Sequence, residues 1–538
     1  MFRDTVIVAI GTAVSRITGL LRIIVFGVII GQTALADAFD GANNSPNSIY
    51  ELLIGGVLAA GLVPLFTQLV TQEKDTGDDE GTQSIVTVSL IALIVATLIA
   101  IAAAPLIFRL FSLHPSDSVS ASQFRHVGTV MTRIFLIQIF FYGMTAIATA
   151  LLNAHRRFMA AAWAPVLSNI VIISSLLVIP FTRDGTPTLD DVLNDKTFFL
   201  LLTLGSTAGI ATMAIVLVPA LRATGFRWRF APNFKHPAVR SLARLSAWTF
   251  GYVITNQIAL IVVKNLARPG SGDQDAYSKA FTFFMLPHGL LVISIATTFV
   301  PELARRAHNF DRDGFATWMT NGLRWIGLLT LPASLGMLIL SHPIISALLE
   351  HGHFNSIAAD NTARALSGFA IGLVGFSVYI YALRGFYAHQ DTRTPFFINL
   401  FENILNILFA IFLVNRHGIL GLGLAFALAY SISAVLALIV LHYRFGAIKW
   451  STFGSLVWRV TIAAGVMALI VQLMQLSLTS VSTLARFGEV FLCITAGLVV
   501  YFAGLYVLRV PEMHQLQTLF ASRVLVSRPR DNSNDQDF

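Results

Sequence analysis

Two arginines, Arg16 and Arg22, interrupt the first long apolar stretch of the chain, in the run Ser15-Arg16-Ile17-Thr18-Gly19-Leu20-Leu21-Arg22. A guanidinium held in a cavity binds oxyanions through its planar fork, so phosphate recognition is the chemistry these residues suit. Six residues on a straight helix place them about 120° apart around the axis and about 9 Å apart along it, so they do not share a face. Gly19 between them permits a bend that would let the long side chains converge. The structural alternative is an ion pair with Asp37, Asp40 or Glu51.

The next polar cluster is Asp37, Asp40, Asn43, Asn44 and Asn47, where the first apolar run hands over to the second. A helix-capping turn accounts for Asp40 through Asn47. Glu51 follows within a turn, and Gly55 and Gly56 beside it imply close helix approach or local unwinding. Each ionisable residue inside a membrane span costs ~2.5–3.5 kcal/mol, so each needs a reason. Lys264, Lys279 and Arg459 sit near span ends and are expected to snorkel to the interface. Glu402, with Asn403 and Asn406, lies two turns into its span. It is read either as a protonated or Asn-paired carboxyl or as a coupling-ion or proton site. The pair His351 and His353 lacks a third metal ligand at workable spacing. No nucleophile elbow, P-loop or HExxH motif is present, so an enzyme is not expected.

Composition dictates what must position these residues. The 538 residues are 55% hydrophobic and only 12% charged, against about 25% charged in soluble proteins. Mean hydropathy is +0.73. A polytopic, all-α membrane protein follows, because the apolar runs are too long for barrel strands. Fourteen spans are predicted near 5–31, 47–71, 84–111, 127–152, 161–181, 197–221, 242–266, 277–301, 318–340, 365–387, 395–414, 418–441, 455–475 and 487–508. The first run has no small-residue cleavage site and reads as a span, not a signal peptide. Cys493 sits in an apolar run, so no disulfide framework is possible.

Lysine and arginine then set the orientation. Alternate loops hold Arg156 and Arg157, Arg222 through Arg240, Arg305 through Arg312, and Arg384 with Arg393. Their excess over the opposite loops is about threefold, which places them and both termini in the cytoplasm. The net charge of +8 is therefore topology, not a nucleic-acid surface. An internal repeat accompanies this pattern. Pro105 and Pro343, Ala154-His155 and Ala388-His389, and Pro165/Asn169 and Pro395/Asn399 recur at offsets of 238, 234 and 230. Six spans per repeat preserve orientation, so two parallel six-helix lobes are expected, with a site between them. The expected divisions are 1–226, 227–445, an extra helix pair at 446–509, and a tail at 510–538.

The run from Ser15 to Arg22, Ala36-Asp37-Ala38-Phe39, and Pro46-Asn47 through Val63-Pro64 resemble the opening of the MurJ/MviN lipid II flippases. The similarity continues through Leu349-Glu350-His351-Gly352-His353-Phe354 and Arg384 to Pro395, and covers nearly the whole chain. Tyr50 to Gly56 and Glu402-Asn403 with Asn406 are similar to the actinobacterial branch, without its pseudokinase extension. The resemblance implies the fourteen-helix fold of the multidrug/oligosaccharidyl-lipid/polysaccharide exporter superfamily. It implies alternating access that moves the undecaprenyl-pyrophosphate-linked peptidoglycan precursor outward across the plasma membrane. It matches Arg16 and Arg22 to the family's cavity arginines and Asp37 to its essential acid. Where many members have further arginines, this chain has Tyr50 and Thr282, and Lys264 or Lys279 is the expected substitute. A sodium site in the second lobe is matched at Asn406, but Ala410 stands where an acid is expected.

The substrate-binding set expected from this reading is Arg16, Arg22, Asp37, Asn47, Glu51, Lys264 and Lys279. Glu402, Asn403 and Asn406 form the expected ion-coupling set. No cofactor is expected beyond Na+ or H+ as a coupling ion, and the partners are the lipid-linked precursor, membrane lipids and cell-wall synthesis and division proteins. A monomer is expected. The alternatives are an exporter of other lipid-linked saccharides or of drugs, and a non-transporting cell-wall scaffold.

Overall fold

A computed structural model describes residues 2–52, 62–76, 78–237, 239, 247–478 and 483–513. Among these residues the regular elements are all helical. A bilayer core offers the backbone no hydrogen-bond partner, so spans must satisfy their amides internally. Eleven described helices are long and apolar enough to cross a membrane, or twelve if one bent pair counts as a span. The expected spans at 47–71 and 242–266 fall partly outside the described residues, as do Gly55, Gly56, Arg240 and most of the tail.

The first group of helices begins with α1 (Phe2–Ile30), α2 (Ala34–Tyr50) and α3 (Leu62–Thr76). It continues with α4 (Glu80–Ala102), α5 (Ala104–Leu110), α6 (Ala121–Phe135) and α7 (Gln138–Ala154). The helices α8 (Met159–Val178), the short α9 (Leu189–Asn194) and α10 (Lys196–Arg222) complete it. The second group holds α11 (Ala247–Leu266), α12 (Asp273–Pro287), α13 (Ile293–His308) and α14 (Arg312–Leu349). It also holds α15 (Ser356–Ile371), α16 (Leu373–Ala388), α17 (Arg393–His417) and α18 (Ile419–Phe445). A final pair, α19 (Trp450–Ser477) and α20 (Thr483–Val507), packs on α14 through Leu328, Leu340, Ala464 and Tyr501.

Apolar clusters gather inside each group. Phe26, Phe108, Phe124 and Phe135 centre one in the first. In the second, Phe284, Phe369, Phe376 and Phe426 make a stack of edge and tilted ring contacts 5.2–5.6 Å apart. Large apolar side chains on the outer surfaces, such as Leu98, Leu476 and Phe491, are exposed where lipid would cover them.

The structure corrects several boundaries. The polar run from Asp40 to Asn47 is not a capping turn but lies in the body of α2, whose N-cap is Thr33. Thr33 Oγ1 accepts the Ala36 N–H at 3.2 Å. Short polar side chains break helices when they compete for their own backbone. Here the carboxylates bond away from their own backbone, Asp37 to the amides of Gly270, Gly272 and Asp275 and Asp40 to Lys264 and the Asn44 side-chain amide, so the helix survives. The expected spans at 84–111, 127–152 and 365–387 are each two helices, joined at Ala103, at Leu136-Ile137 and at Gly372. The last of these bends by 49°. The run expected at 277–301 extends from Asp273 to His308 and contains a π-helical turn, His288–Val292, after Pro287. The missing proline N–H and the extra residue in that turn have a common cause in the interrupted hydrogen-bond ladder.

Candidate substrate cavity

A cavity of about 610 Å³ opens between the two helix groups, walled by α1, α2 and α7 on one side and α11 and α12 on the other. Arg22, Asn47 and Glu51 face it from the first group, and Gln257, Lys264 and Lys279 from the second. A second cavity of about 430 Å³ lies between α1, α8 and α12 around Arg16. The two share Arg22, Ile23 and Thr282 as common wall, while Arg16 lines the second alone.

The arginines do not converge through a bend. α1 runs unbroken from Phe2 to Ile30, and Gly19 faces α8. A Cβ there would sit 3.6 Å from the Asn169 amide nitrogen, which donates to Thr18 Oγ1 at 3.1 Å. Opposite Arg16 lies Gly289, inside the π turn, where a Cβ would stand 3.6 Å from the guanidinium carbon. Among the described residues neither Arg16 nor Arg22 has a carboxylate partner, because Asp37, Asp40 and Glu51 are all engaged elsewhere.

Asp37 is fully buried and does not line the cavity. Its Oδ2 accepts the backbone N–H of Gly270 and of Gly272, each at 2.8 Å, and its Oδ1 accepts that of Asp275 at 2.9 Å. Gly270 and Gly272 have φ of +93° and +92°, a backbone shape that L side chains resist. The turn between α11 and α12 is thus wrapped around one carboxylate from α2.

Lys264 and Lys279 do not snorkel. Lys264 is 2% exposed and donates to Asp40 at 2.5 Å, to the Gln274 carbonyl at 3.2 Å and to Ser278. Lys279 is 3% exposed and pairs with Asp275 one turn earlier on α12, its ammonium 5.3 Å from the rings of Phe26 and Phe354. Buried ammoniums require such partners, because desolvating an unpaired charge costs several kcal/mol. Glu51 accepts from Gln257 at 2.6 Å across the same gap. Tyr50 packs its ring 5.2 Å from Tyr142, and Thr282 donates back to the Ser278 carbonyl, so neither position supplies a cation.

The Glu402 face lies apart from this cavity, where α17 meets α11. Asn399, Glu402 and Asn406 are 0%, 1% and 7% exposed and fall within an arc of about 60°. Asn399 donates to Thr255 at 2.8 Å and Asn403 to Asn256 at 2.8 Å. The remaining oxygens, Asn399 Oδ1, both Glu402 oxygens and Asn406 Oδ1, are buried and meet no donor among the described residues. Glu402 is therefore not the Asn-paired carboxyl that the sequence left open. The imidazoles of His351 and His353 bond to the Ala347 carbonyl and the Thr186 hydroxyl, each at 2.9 Å.

The residues that sequence reasoning missed are Gln257, Ser278, Asp275 and the Gly270–Gly272 turn. Asp275 was legible as the i−4 partner of Lys279. Gln257 and Ser278 carried no signal, since an uncharged polar residue in a span is unremarkable.

The chain matches the family described as lipid II flippase MurJ over residues 26–496. The lipid II flippase MurJ of Burkholderia cenocepacia is 28% identical over 449 residues, covering 82% of this chain and 84% of that one. The probable lipid II flippase MurJ of Borreliella burgdorferi is 25% identical over 450 residues, covering 82% of each. The solved structure of a lipid II flippase MurJ in an inward closed conformation superposes with a TM-score of 0.74 at 21% identity, over 93% of this chain and 98% of that one. An inward-facing MATE-family multidrug resistance transporter of the MOP superfamily gives 0.59 at 15% identity, over 81% of this chain. This multi-pass membrane protein belongs to the MurJ family of lipid II flippases.

Proposed function

We propose that the chain moves the undecaprenyl-pyrophosphate-linked peptidoglycan precursor from the inner to the outer leaflet by alternating access of its two helix groups. The face where α1 ends and α2 begins is the outer one in this reading, and both termini are cytoplasmic. The observation that carries it is the pairing pattern of the cavity. Lys264 and Lys279 have carboxylates, whereas Arg16 and Arg22 have none among the described residues. A pyrophosphate supplies the missing counter-charge, first at Arg16 and then about 9 Å farther along α1 at Arg22. The polyprenyl tail stays in lipid while the polar head occupies the cavity.

The latch formed by Asp37, Asp40 and Lys264 closes the outer end in this state, and outward release requires it to part. The four donor-free oxygens on the Asn399–Asn406 face suit a coupling cation, with Glu402 as the charged ligand, or a proton on Glu402 itself. Oxygen donors of this kind are what a sodium ion takes, although Ala410 adds no acid. Occupation would neutralise a buried carboxylate and so shift the balance between the two states. Complementation tests the reading in a cell whose own flippase is depleted. The intact chain restores growth and prevents precursor from building up in the inner leaflet, and Arg22→Ala does not. Full rescue by Arg16→Ala and by Arg22→Ala contradicts anion capture by α1.

A further inference from the structure

The first part of the segment that joins the two helix groups is held to α4. Residues 226–235, Phe-Arg-Trp-Arg-Phe-Ala-Pro-Asn-Phe-Lys, interleave aromatic and basic side chains. They lie along the start of α4, on a polar seam made by Asp79, Gln83 and Thr87, each four residues from the last. Gln83 donates to the Arg227 carbonyl at 3.0 Å and accepts the Arg229 N–H at 2.7 Å. Thr87 Oγ1 accepts from the Ala231 N–H and the Trp228 indole N–H, both at 3.2 Å. Arg229 pairs with Asp79, and Asn233 donates to Glu80 at 3.1 Å.

Pinning of the backbone leaves the other side chains facing outward. Trp228, Phe230 and Phe234 are 52%, 67% and 58% exposed. Arg222, Arg227 and Lys235 are exposed too, with no acidic partner among the described residues. The height of the strap is set by Thr87. It lies about 10 Å along the helix axis from Ile94, where α4 begins to show apolar side chains outward. In the orientation proposed above, that depth corresponds to the boundary between headgroups and acyl chains, where tryptophan concentrates and where a basic segment meets lipid phosphate.

We propose that this strap is a docking element for anionic phospholipid of the cytoplasmic leaflet. Trp228, Phe230 and Phe234 seat in the interfacial layer, and Arg222, Arg227 and Lys235 bind lipid phosphate. Arg229 is not part of the lipid site, because Asp79 holds it to the scaffold. The proposal rests on the orientation proposed above but not on the cargo, since bilayer contact can be read without transport. The strap follows α10 and is held to α4, so headgroups bound there sit against the first helix group.

The test uses the full chain in phosphatidylcholine vesicles with a quarter of the lipid replaced by phosphatidylglycerol. Pro232→Cys in a Cys493→Ser background places a fluorophore on the strap at an exposed position. Quenching by brominated phosphatidylglycerol exceeds quenching by brominated phosphatidylcholine. The preference falls about fivefold for each of Arg222→Gln, Arg227→Gln and Lys235→Gln, and weakens at high salt. Trp228→Ala with Phe230→Ala reduces quenching by both lipids, and an unchanged melting profile shows that the fold is retained. Equal quenching by the two lipids in the intact chain overturns headgroup selection. Absence of quenching by either lipid shows that the strap does not meet the bilayer, which overturns the proposal entirely.

Discussion

Lys264 on α11 reaches across the cavity to Asp40 on α2, with Nζ 2.5 Å from the carboxylate, and both side chains are shielded from solvent. The pair ties the two helix groups together beside the Asp37 clasp. Removing one member of a buried pair strands the other, at a cost of about 3–5 kcal/mol. Lys264→Met and Asp40→Asn each lower the melting temperature in detergent. The double variant loses less than the sum of the two, and strict additivity in this cycle shows that the residues do not interact.

Asp37→Asn replaces an acceptor that holds three backbone amides with a group that turns an N–H toward one of them. Charge-assisted hydrogen bonds contribute about 1.5–3 kcal/mol each, so the closed outer end is strongly disfavoured. Spin labels at Ser122 and Ile357, one on each helix group, report the change as a longer distance population. An unaltered distribution removes Asp37 from the latch.

Gly289 leaves room for the Arg16 guanidinium, at ordinary van der Waals distance from where a Cβ would stand. Gly289→Ala is therefore tolerated, while Gly289→Leu pushes Arg16 aside and reduces flipping about tenfold, the loss of one charge-assisted contact of ~1.4 kcal/mol. Equal flipping by the leucine variant and the intact chain places Arg16 off the path.

Glu402→Gln keeps the shape of its buried face and removes the titratable group. Basal flipping persists, but its response to an imposed sodium or proton gradient disappears, and whichever gradient drove the intact chain identifies the coupling ion. A gradient response that survives the substitution moves coupling elsewhere.

How much of this was legible in sequence depended on where each residue's partner lay. Spans were readable because lipid forces long apolar runs into helices, a local rule that needs no knowledge of neighbours. The helical path through Asp37–Asn47 was not, since the partners that relieve Asp37 are amides 233–238 positions away. The expectation that Lys264 snorkels fails for the same reason, its partner Asp40 lying 224 positions away. Position along a helix shows depth, whereas only packing shows that Asp40 stands beside Lys264; Asp275, one turn before Lys279, was within reach of the helical spacing. Arg16 and Arg22 fall on one helix as expected, yet the two adjoining cavities that they line are shaped by α8 and α12, which the sequence does not bring together.

The proposed capture of the pyrophosphate head by Arg16 and Arg22 rests on their being, among the described residues, the cavity cations without a carboxylate partner. Flipping of fluorescent precursor by the purified chain in liposomes, followed by reduction of the dye in the outer leaflet, measures it directly. The intact chain exposes label under an inside-negative potential, Arg22→Lys retains part of the rate, and Arg16→Ala and Arg22→Ala each lose about tenfold to hundredfold. Undiminished flipping by the Arg16→Ala, Arg22→Ala double variant contradicts the account.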